Sequence, residues 1–203
     1  MKLTVTTFLS VDGVYQGPGT PDEDRSGGFD RGGWLAPYFD EATAEFMTQV
    51  FEKPDAFLLG RRTYEIFAAY WPQHANPNDP IENGLNTLPK YVVSRTLQSA
   101  DWHNSTIVGG DFLAEVTRLK EAPGRELQVH GSGQLVRTLL EHDLVDELRL
   151  LVFPVIVGAG KRLFPDEGIA TKLRVTDSQV TPSGVAIHVY RPIGRPEFGE
   201  VGT

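Results

Sequence analysis

The sequence predicts an α/β fold: a mostly parallel central sheet with helices on both faces and antiparallel strands at its C-terminal edge. Three observations carry this. Short apolar or alternating segments interleave with segments of helical spacing along most of the chain, which implies strand–helix–strand crossovers. Three of the apolar segments end in Gly or Ser beside Arg or Gly, and two of these ends run directly into helix starts. The last two alternating segments are joined by "TPSG", a hairpin composition.

Taken in order, Leu3, Val5 and Thr7 alternate with Thr4, Thr6 and Phe8, which gives a first strand from about Lys2 to Leu9. Residues 10–37 are crowded with Gly, Pro, Asp and Ser and read as a long loop, with Phe29 and Trp34 embedded in it. A loop of that length in a compact domain is a functional lid or a solvated insert. The residues Phe39, Ala42, Phe46, Val50 and Phe51 recur at helical spacing, and Pro54 bars continuation of that helix. Asp55–Gly60 reads as a buried strand and Arg61–Tyr70 as a helix. Trp71–Gly84 is a loop by composition. Lys90–Ser94 and Ser105–Gly110 are short strands, and Asp111 caps a helix to about Glu121. Glu126–Gly133 is a strand meeting a glycine turn, followed by a helix over Gln134–His142. Asp146–Gly158 alternates at first and then becomes wholly apolar, as a central strand does. Lys172–Val180 and Val185–Tyr190 form the closing hairpin. Residues 1–191 make one domain, and residues 192–203 read as a frayed tail.

Composition narrows the function. The chain has 203 residues, a net charge of -8 and no cysteine. An acidic chain lacks the diffuse positive field of a nucleic-acid binder, so anion binding must be local. Absence of cysteine removes disulfides, thiolate metal sites and a thiol nucleophile, and fits a cytoplasmic protein. The start "MKLTVTTFLSVDG" has no signal-peptide core, and no apolar run reaches the roughly 18 residues of a membrane span. The histidines show no metal-binding spacing, and no metal is expected.

Chemistry concentrates at the strand ends. Gly60-Arg61-Arg62-Thr63, Ser94-Arg95-Thr96 and Gly131-Ser132-Gly133-Gln134 each follow a strand. In open α/β sheets ligands sit outside the carboxyl ends of the strands. A helix N-terminus offers free N–H groups and partial positive charge, which suits phosphate. Two arginines in a helix's first turn oppose its dipole, which favours an anionic partner. Each piece alone has a plain alternative: a solvated first turn for Arg61 and Arg62, a tight strand-to-helix turn for Gly131–Gly133. Three such ends on an acidic chain point to a polyphosphate ligand such as a dinucleotide.

The segments "FLSVDGVY", "FLLGRRTYE", "YVVSRTL", "VHGSGQLVRTLL" and "FPVIVGAGKRLF" together resemble the dihydrofolate reductase-like superfamily, in the branch of the riboflavin-biosynthesis reductase C-terminal domain. The resemblance spans about residues 1–191. It implies a three-layer fold on about eight strands and an NADPH-dependent reductase acting on a small, pterin- or pyrimidinone-like heterocycle. The rival expectation is a catalytically silent nucleotide-binding module. Gly60, Arg61, Arg62 and Thr63 then match the phosphate-binding turn, and Ser94 and Arg95 the adenosine 2'-phosphate site. Gly131, Ser132, Gly133 and Gln134 match the turn against the pyrophosphate and nicotinamide ribose. Arginine suits a dianionic phosphate, which favours NADPH over NADH. Asp12, beside Ser10, is the candidate proton source or substrate contact, with a plain Asp-Gly turn as the alternative. In folate reductases a first-helix carboxylate holds the pterin. That position falls near Ala44 here, so folate reduction is not expected. About Gly17 to Trp34 is expected to form a mobile lid. The apolar excess of "LRLLVFPVIVG" and the resemblance both point to a homodimer.

Overall fold

The computed structural model describes every residue except 167, 169 and 203. The eight strands β1 (Lys2–Ser10), β2 (Pro54–Gly60), β3 (Lys90–Val93), β4 (Ser105–Val108), β5 (Glu126–His130), β6 (Glu147–Phe153), β7 (Leu173–Val180) and β8 (Ala186–Pro192) form one sheet in the order β4-β3-β2-β5-β1-β6-β8-β7. Strands β4 to β6 pair in parallel; β8 is antiparallel to β6 and β7. The α/β fold with antiparallel C-terminal strands is therefore as the sequence implies.

Five α-helices cover the sheet: α1 (Glu41–Phe51), α2 (Arg61–Tyr70), α3 (Pro80–Thr87), α4 (Phe112–Glu121) and α5 (Gly133–Glu141). One face packs Met47, Val50 and Phe51 of α1, Tyr64 of α2 and Leu85 of α3 over Phe57, Leu59, Leu151 and Phe153. The other packs Val116 and Leu119 of α4 and Leu135, Val136 and Leu139 of α5 over Leu3, Val5, Leu58 and Leu127. Alternation within each strand sends successive residues to opposite faces. Leu58 and Leu59 thus serve different layers, and burial of each such side chain contributes about 1.5–3 kcal/mol.

Two departures from the sequence reading have physical reasons. Trp71–Gly84 is not all loop, because α3 begins inside it at Pro80. Asp79 accepts hydrogen bonds from the N–H groups of Ile81 and Glu82, and Pro80 presets the first helical φ. The fully buried Lys90 donates to the carbonyls of Leu85 and Leu88 and so satisfies the far end of that helix. Strand β6 ends at Phe153, before Pro154, and β8 lies directly beside it. The apolar residues Leu148, Leu150, Leu151 and Phe153 of this segment are buried in the sheet, between β1 and β8, while Ile156 beyond the strand is exposed.

Among the described residues, no helix is long and apolar enough to cross a membrane.

Candidate functional site

Strands β3, β2 and β5 are adjacent and parallel, so their carboxyl ends emerge on one edge. A cleft of about 1480 Å³ opens there. All ten residues expected at the cofactor line it: Gly60, Arg61, Arg62, Thr63, Ser94, Arg95, Gly131, Ser132, Gly133 and Gln134. The sequence placed them up to 74 positions apart, and parallel pairing alone brings them together.

The helix caps divide in an informative way. Helices α1, α3 and α4 are each capped by an aspartate side chain, from Asp40, Asp79 and Asp111. Helices α2 and α5, whose first residues line the cleft, have no side-chain cap, while α4, capped by Asp111, also begins at the cleft at Phe112. Orphan N–H groups at a helix start need a partner, and the α2 and α5 starts face a cavity.

The two starts are tied to each other. Ser132 adopts the left-handed conformation, with φ 52° and ψ 42°, which turns its side chain back toward β2. Its Oγ accepts from Gly60 N–H at 3.0 Å and lies 2.9 Å from Thr63 Oγ1. Thr63 Oγ1 also accepts from Ser132 N–H at 3.1 Å. The hydroxyls of Thr63 and Ser132 are thus committed to the scaffold. Gly133 is fixed by contact: a Cβ there would lie 2.5 Å from the ring of Tyr15. The Tyr15 hydroxyl accepts from Gly133 N–H, and burial pushes its pKa upward.

The arginines differ in their partners. Arg62 Nη2 lies 3.0 Å from Asp24 Oδ1, while Lys161 Nζ lies 2.9 Å from Asp24 Oδ2. Burial would raise the Asp24 pKa, but hydrogen bonds from Ser26, Lys161 and Arg62 outweigh it and hold the carboxyl well below the usual range. Arg61 makes only a loose 3.8 Å approach to Glu65. Arg95 is exposed in the cleft and has no hydrogen bond or ion pair among the described residues. Ser94 Oγ is turned inward and accepts from the N–H groups of Thr96 and Leu97. Sequence reading missed Tyr15, Asp24 and Lys161. The signals were present as the Lys in "GAGKR" and the acidic run "PDED", but nothing local joins them to Arg62.

Two expectations are corrected. Asp12 does not line the cleft. Its carboxylate accepts from Ser10 Oγ at 2.7 Å and from the N–H groups of Val157 and Gly158 at 3.0 and 2.8 Å. Burial opposes its ionisation, yet these bonds lower its pKa to about 2. A carboxylate held this way pins the end of β1 to the 157–163 segment and offers no proton near neutrality. The stretch from Gly17 to Trp34, expected as a lid, is anchored at named points. Phe29 and Trp34 are buried, and Trp34 Nε1 donates to the Gln16 carbonyl at 2.9 Å. The Gln16 amide donates to the carbonyls of Asp24 and Ser26 and accepts from Lys161 N–H. Gly160 is required where it stands, since a Cβ there would meet the Phe29 ring at 2.8 Å. The segment forms a fixed wall of the cleft through Gln16–Thr20 and Asp22–Asp24.

The apolar lining of the cleft includes Phe8, Leu35, Phe39, Met47, Phe51 and Trp71, and Thr6 and His130 line it as well. The carboxylates that line the cleft, Asp22, Glu23, Asp24 and Glu65, come from the wall and from α2. None comes from α1, in keeping with Ala44 at the position where a carboxylate would hold a pterin. Burial, and then the charge of Arg149, pull the His130 pKa down to about 3, so its ring is neutral. Among the described residues no group of His, Cys, Asp or Glu is arranged to hold a metal.

Comparison with known proteins adds the following. Residues 1–187 match the family model described as the RibD C-terminal domain. The uncharacterized protein YyaP of Bacillus subtilis is 31% identical over 191 residues, covering 93% of this chain and 94% of that protein. A second uncharacterized B. subtilis protein, YwjB, is 25% identical over 78% of this chain and 85% of its own. Among solved structures, a putative riboflavin biosynthesis protein from Shewanella superposes with a TM-score of 0.68 at 19% identity, covering 95% of this chain and 99% of that one. Dihydrofolate reductase from Enterococcus faecalis, complexed with NADP(H), gives 0.55 at 15% identity, covering 94% of this chain and 96% of its own. These solved structures share the fold.

Proposed function

This chain belongs to the RibD C-terminal domain family, and from that premise we propose that it is an NADPH-dependent reductase of a small heterocyclic substrate. One observation carries the reading. The starts of α2 and α5, at the ends of the adjacent strands β2 and β5, both line the cleft and both lack a side-chain cap. Uncapped N–H groups, a glycine-rich approach and cationic side chains suit a dinucleotide's phosphates.

The residues fit that group in a definite order. The α2 start, with Gly60, Arg61 and Arg62, receives phosphate. The Gly131–Gln134 turn receives the remainder of the pyrophosphate and the adjoining ribose. Arg95, without a protein partner, meets the 2'-phosphate and sets the preference for NADPH. When bound, NADPH supplies the hydride. The chain itself orients the nicotinamide toward the apolar lining and excludes water there. Thr63 and Ser132 hold the two phosphate-binding turns in register. Asp12 fixes the end of β1 and takes no part in proton transfer. A homodimer remains part of the proposal on the ground of the family resemblance.

The test is NADPH oxidation, followed at the nicotinamide absorbance, with a panel of pterin, pyrimidinone and quinone substrates. Turnover with any of them supports the reductase. NADPH binding with no turnover across the panel leaves the silent binding module as the better reading.

A further inference from the structure

We propose that Gln128 is a positioning residue for His130: it holds the imidazole proton on Nε2 and leaves Nδ1 as the ring's only acceptor where His130 lines the cleft. The inference rests on the reading of the cleft as the reactive site. It goes further by giving a task to the buried polar stripe on β5.

That stripe is unusual for its place. Glu126, Gln128 and His130 alternate along β5, so their side chains share one face of the sheet. Beside them in register stand Thr4 and Thr6 of β1, and next to those Glu147 and Arg149 of β6. Strand β5 is buried at all its positions, and a parallel strand buried on both faces is ordinarily an apolar run. Three polar side chains at alternate positions of such a strand call for a reason.

The network fixes the orientation of each member. Arg149 Nη2 donates to Glu126 Oε1 at 2.8 Å, and its Nη1 donates to Glu126 Oε2 at 3.1 Å. Burial works against the Glu126 charge, but the hydrogen bonds from Arg149 and Gln128 outweigh it and lower its pKa. Gln128 Nε2 donates to Glu126 Oε2 at 2.8 Å and to the carbonyl of Val50, in the last turn of α1, at 2.7 Å. A carboxylate and a carbonyl only accept, so the amide cannot turn over without setting its oxygen against two acceptors. Gln128 Oε1 therefore faces His130 Nε2 at 2.9 Å, and Nε2 carries the proton.

The imidazole is neutral. Burial, and then the charge of Arg149, lower its pKa to about 3, against an opposite pull from Glu126. The other groups packed on it carry no charge. Phe51 of α1 stacks on the ring with centroids 4.5 Å apart, Phe57 of β2 lies 5.8 Å away, and Thr6 is its register partner on β1. With Nε2 taken by Gln128, Nδ1 is the one polar atom the ring has left, and it has no hydrogen-bond partner among the described residues. His130 thus offers the cleft a lone pair and no proton. A proton that accompanies hydride transfer has to come from another group.

The test is a long-range proton–nitrogen correlation spectrum of the histidine rings in the labelled full chain, with His130 assigned by loss of its signals in His130→Phe. Wild type is expected to show a pyrrole-like Nε2 and a pyridine-like Nδ1, unchanged from about pH 8 to about pH 5. Gln128→Met removes both hydrogen-bonding groups at similar size, and the two ring nitrogens are expected to move toward one another as both tautomers populate. Gln128→Glu keeps an oxygen opposite Nε2 and is expected to keep the wild-type pattern. Both variants are expected to melt below wild type, since each disturbs the bonds to Val50 and Glu126. A role in stability alone would lower the melting temperature and leave the tautomer where it was. A protonated Nδ1 in wild type, or a wild-type pattern in Gln128→Met, overturns the inference. A protonated Nδ1 in Gln128→Glu does the same, and decides the matter if the methionine variant fails to fold. The spectra need neither NADPH nor a substrate, so failure of the reductase reading is scored separately.

Discussion

Ser132 Oγ lies 2.9 Å from Thr63 Oγ1, joining the start of α5 to the first turn of α2 across the ends of β5 and β2. The link has a second strand, Ser132 N–H to Thr63 Oγ1 at 3.1 Å, and Gly60 N–H closes it onto Ser132 Oγ. Two hydroxyls that would make ordinary phosphate ligands are spent on spacing the two strand-to-helix turns. Ser132→Ala is expected to cost about 2 kcal/mol, from the lost hydrogen bonds to Gly60 N–H and Thr63 Oγ1. That corresponds to a melting temperature lower by roughly 4–8 °C. Ser132→Gly tolerates the backbone conformation and is expected to lose less than the alanine variant. Thermal denaturation followed by circular dichroism distinguishes them, and equal losses would show that the hydroxyl bonds alone matter.

Asp12 is expected to matter to stability and little to binding. Asp12→Ala removes the acceptor for Val157 and Gly158 N–H, at about 1–2 kcal/mol for a partly exposed carboxylate. NADPH affinity is expected to stay within about twofold of wild type. The Asp12 pKa is depressed to about 2, so its contribution is full above about pH 4 and fades as pH falls through 2. A large loss of NADPH affinity in this variant, with normal stability, would return Asp12 to the site.

His130 gives the chain an early acid sensitivity. Its folded pKa of about 3 lies below the ordinary 6.5, so the unfolded chain binds the proton more readily. Stability from the neutral ring is complete above pH 6.5 and is lost as pH falls toward 3. Between pH 7 and 5 the loss is about 2 kcal/mol, before most carboxylates titrate. Urea denaturation at the two pH values measures it. His130→Phe is expected to flatten the slope over that interval, and an unchanged slope would assign the proton uptake elsewhere.

Arg62 and Arg95 are expected to behave differently on substitution. Arg62 already neutralises Asp24 together with Lys161, so Arg62→Ala disturbs the cleft wall as well as any ligand contact. Asp24→Asn is expected to free that guanidinium and to strengthen binding of any anion at the α2 start. Titration with inorganic pyrophosphate at low salt checks this, because surface charge effects shrink with ionic strength. Weaker pyrophosphate binding in Asp24→Asn would show that the carboxylate is needed to position the arginine.

Much of the fold was legible in the sequence because it is written in local period and punctuation. The alternation in Lys2–Leu9, the break at Gly60 and the Asp111 cap each act within a few residues. Helix α3 hid in a polar stretch because its signal is a cap, Asp79-Pro80, rather than an apolar stripe. The ten strand-end residues were read from Gly, Ser and Arg and their neighbours after apolar runs, and parallel pairing brings them to the lining of one cleft. The partners of those residues were not legible. Asp24 meets Arg62 from 38 positions away, and Tyr15 reaches Gly133 from the far end of the sequence. Asp12 looked chemical in "SVDG" because its two backbone donors stand 145 and 146 positions downstream. Composition alone could not show that Trp34 would anchor the long glycine-rich loop into a wall.

The most direct test of the cofactor assignment is calorimetric titration of the wild-type chain and Arg95→Ala with NADPH and NADH at one fixed salt concentration. Wild type is expected to bind NADPH at least tenfold more tightly than NADH, as a charge-assisted contact to a dianionic phosphate implies. Arg95→Ala is expected to lose most of that ratio while keeping its NADH affinity. No heat with either nucleotide, or a ratio untouched by Arg95→Ala, would contradict the placement of a 2'-phosphorylated dinucleotide across these three strand ends.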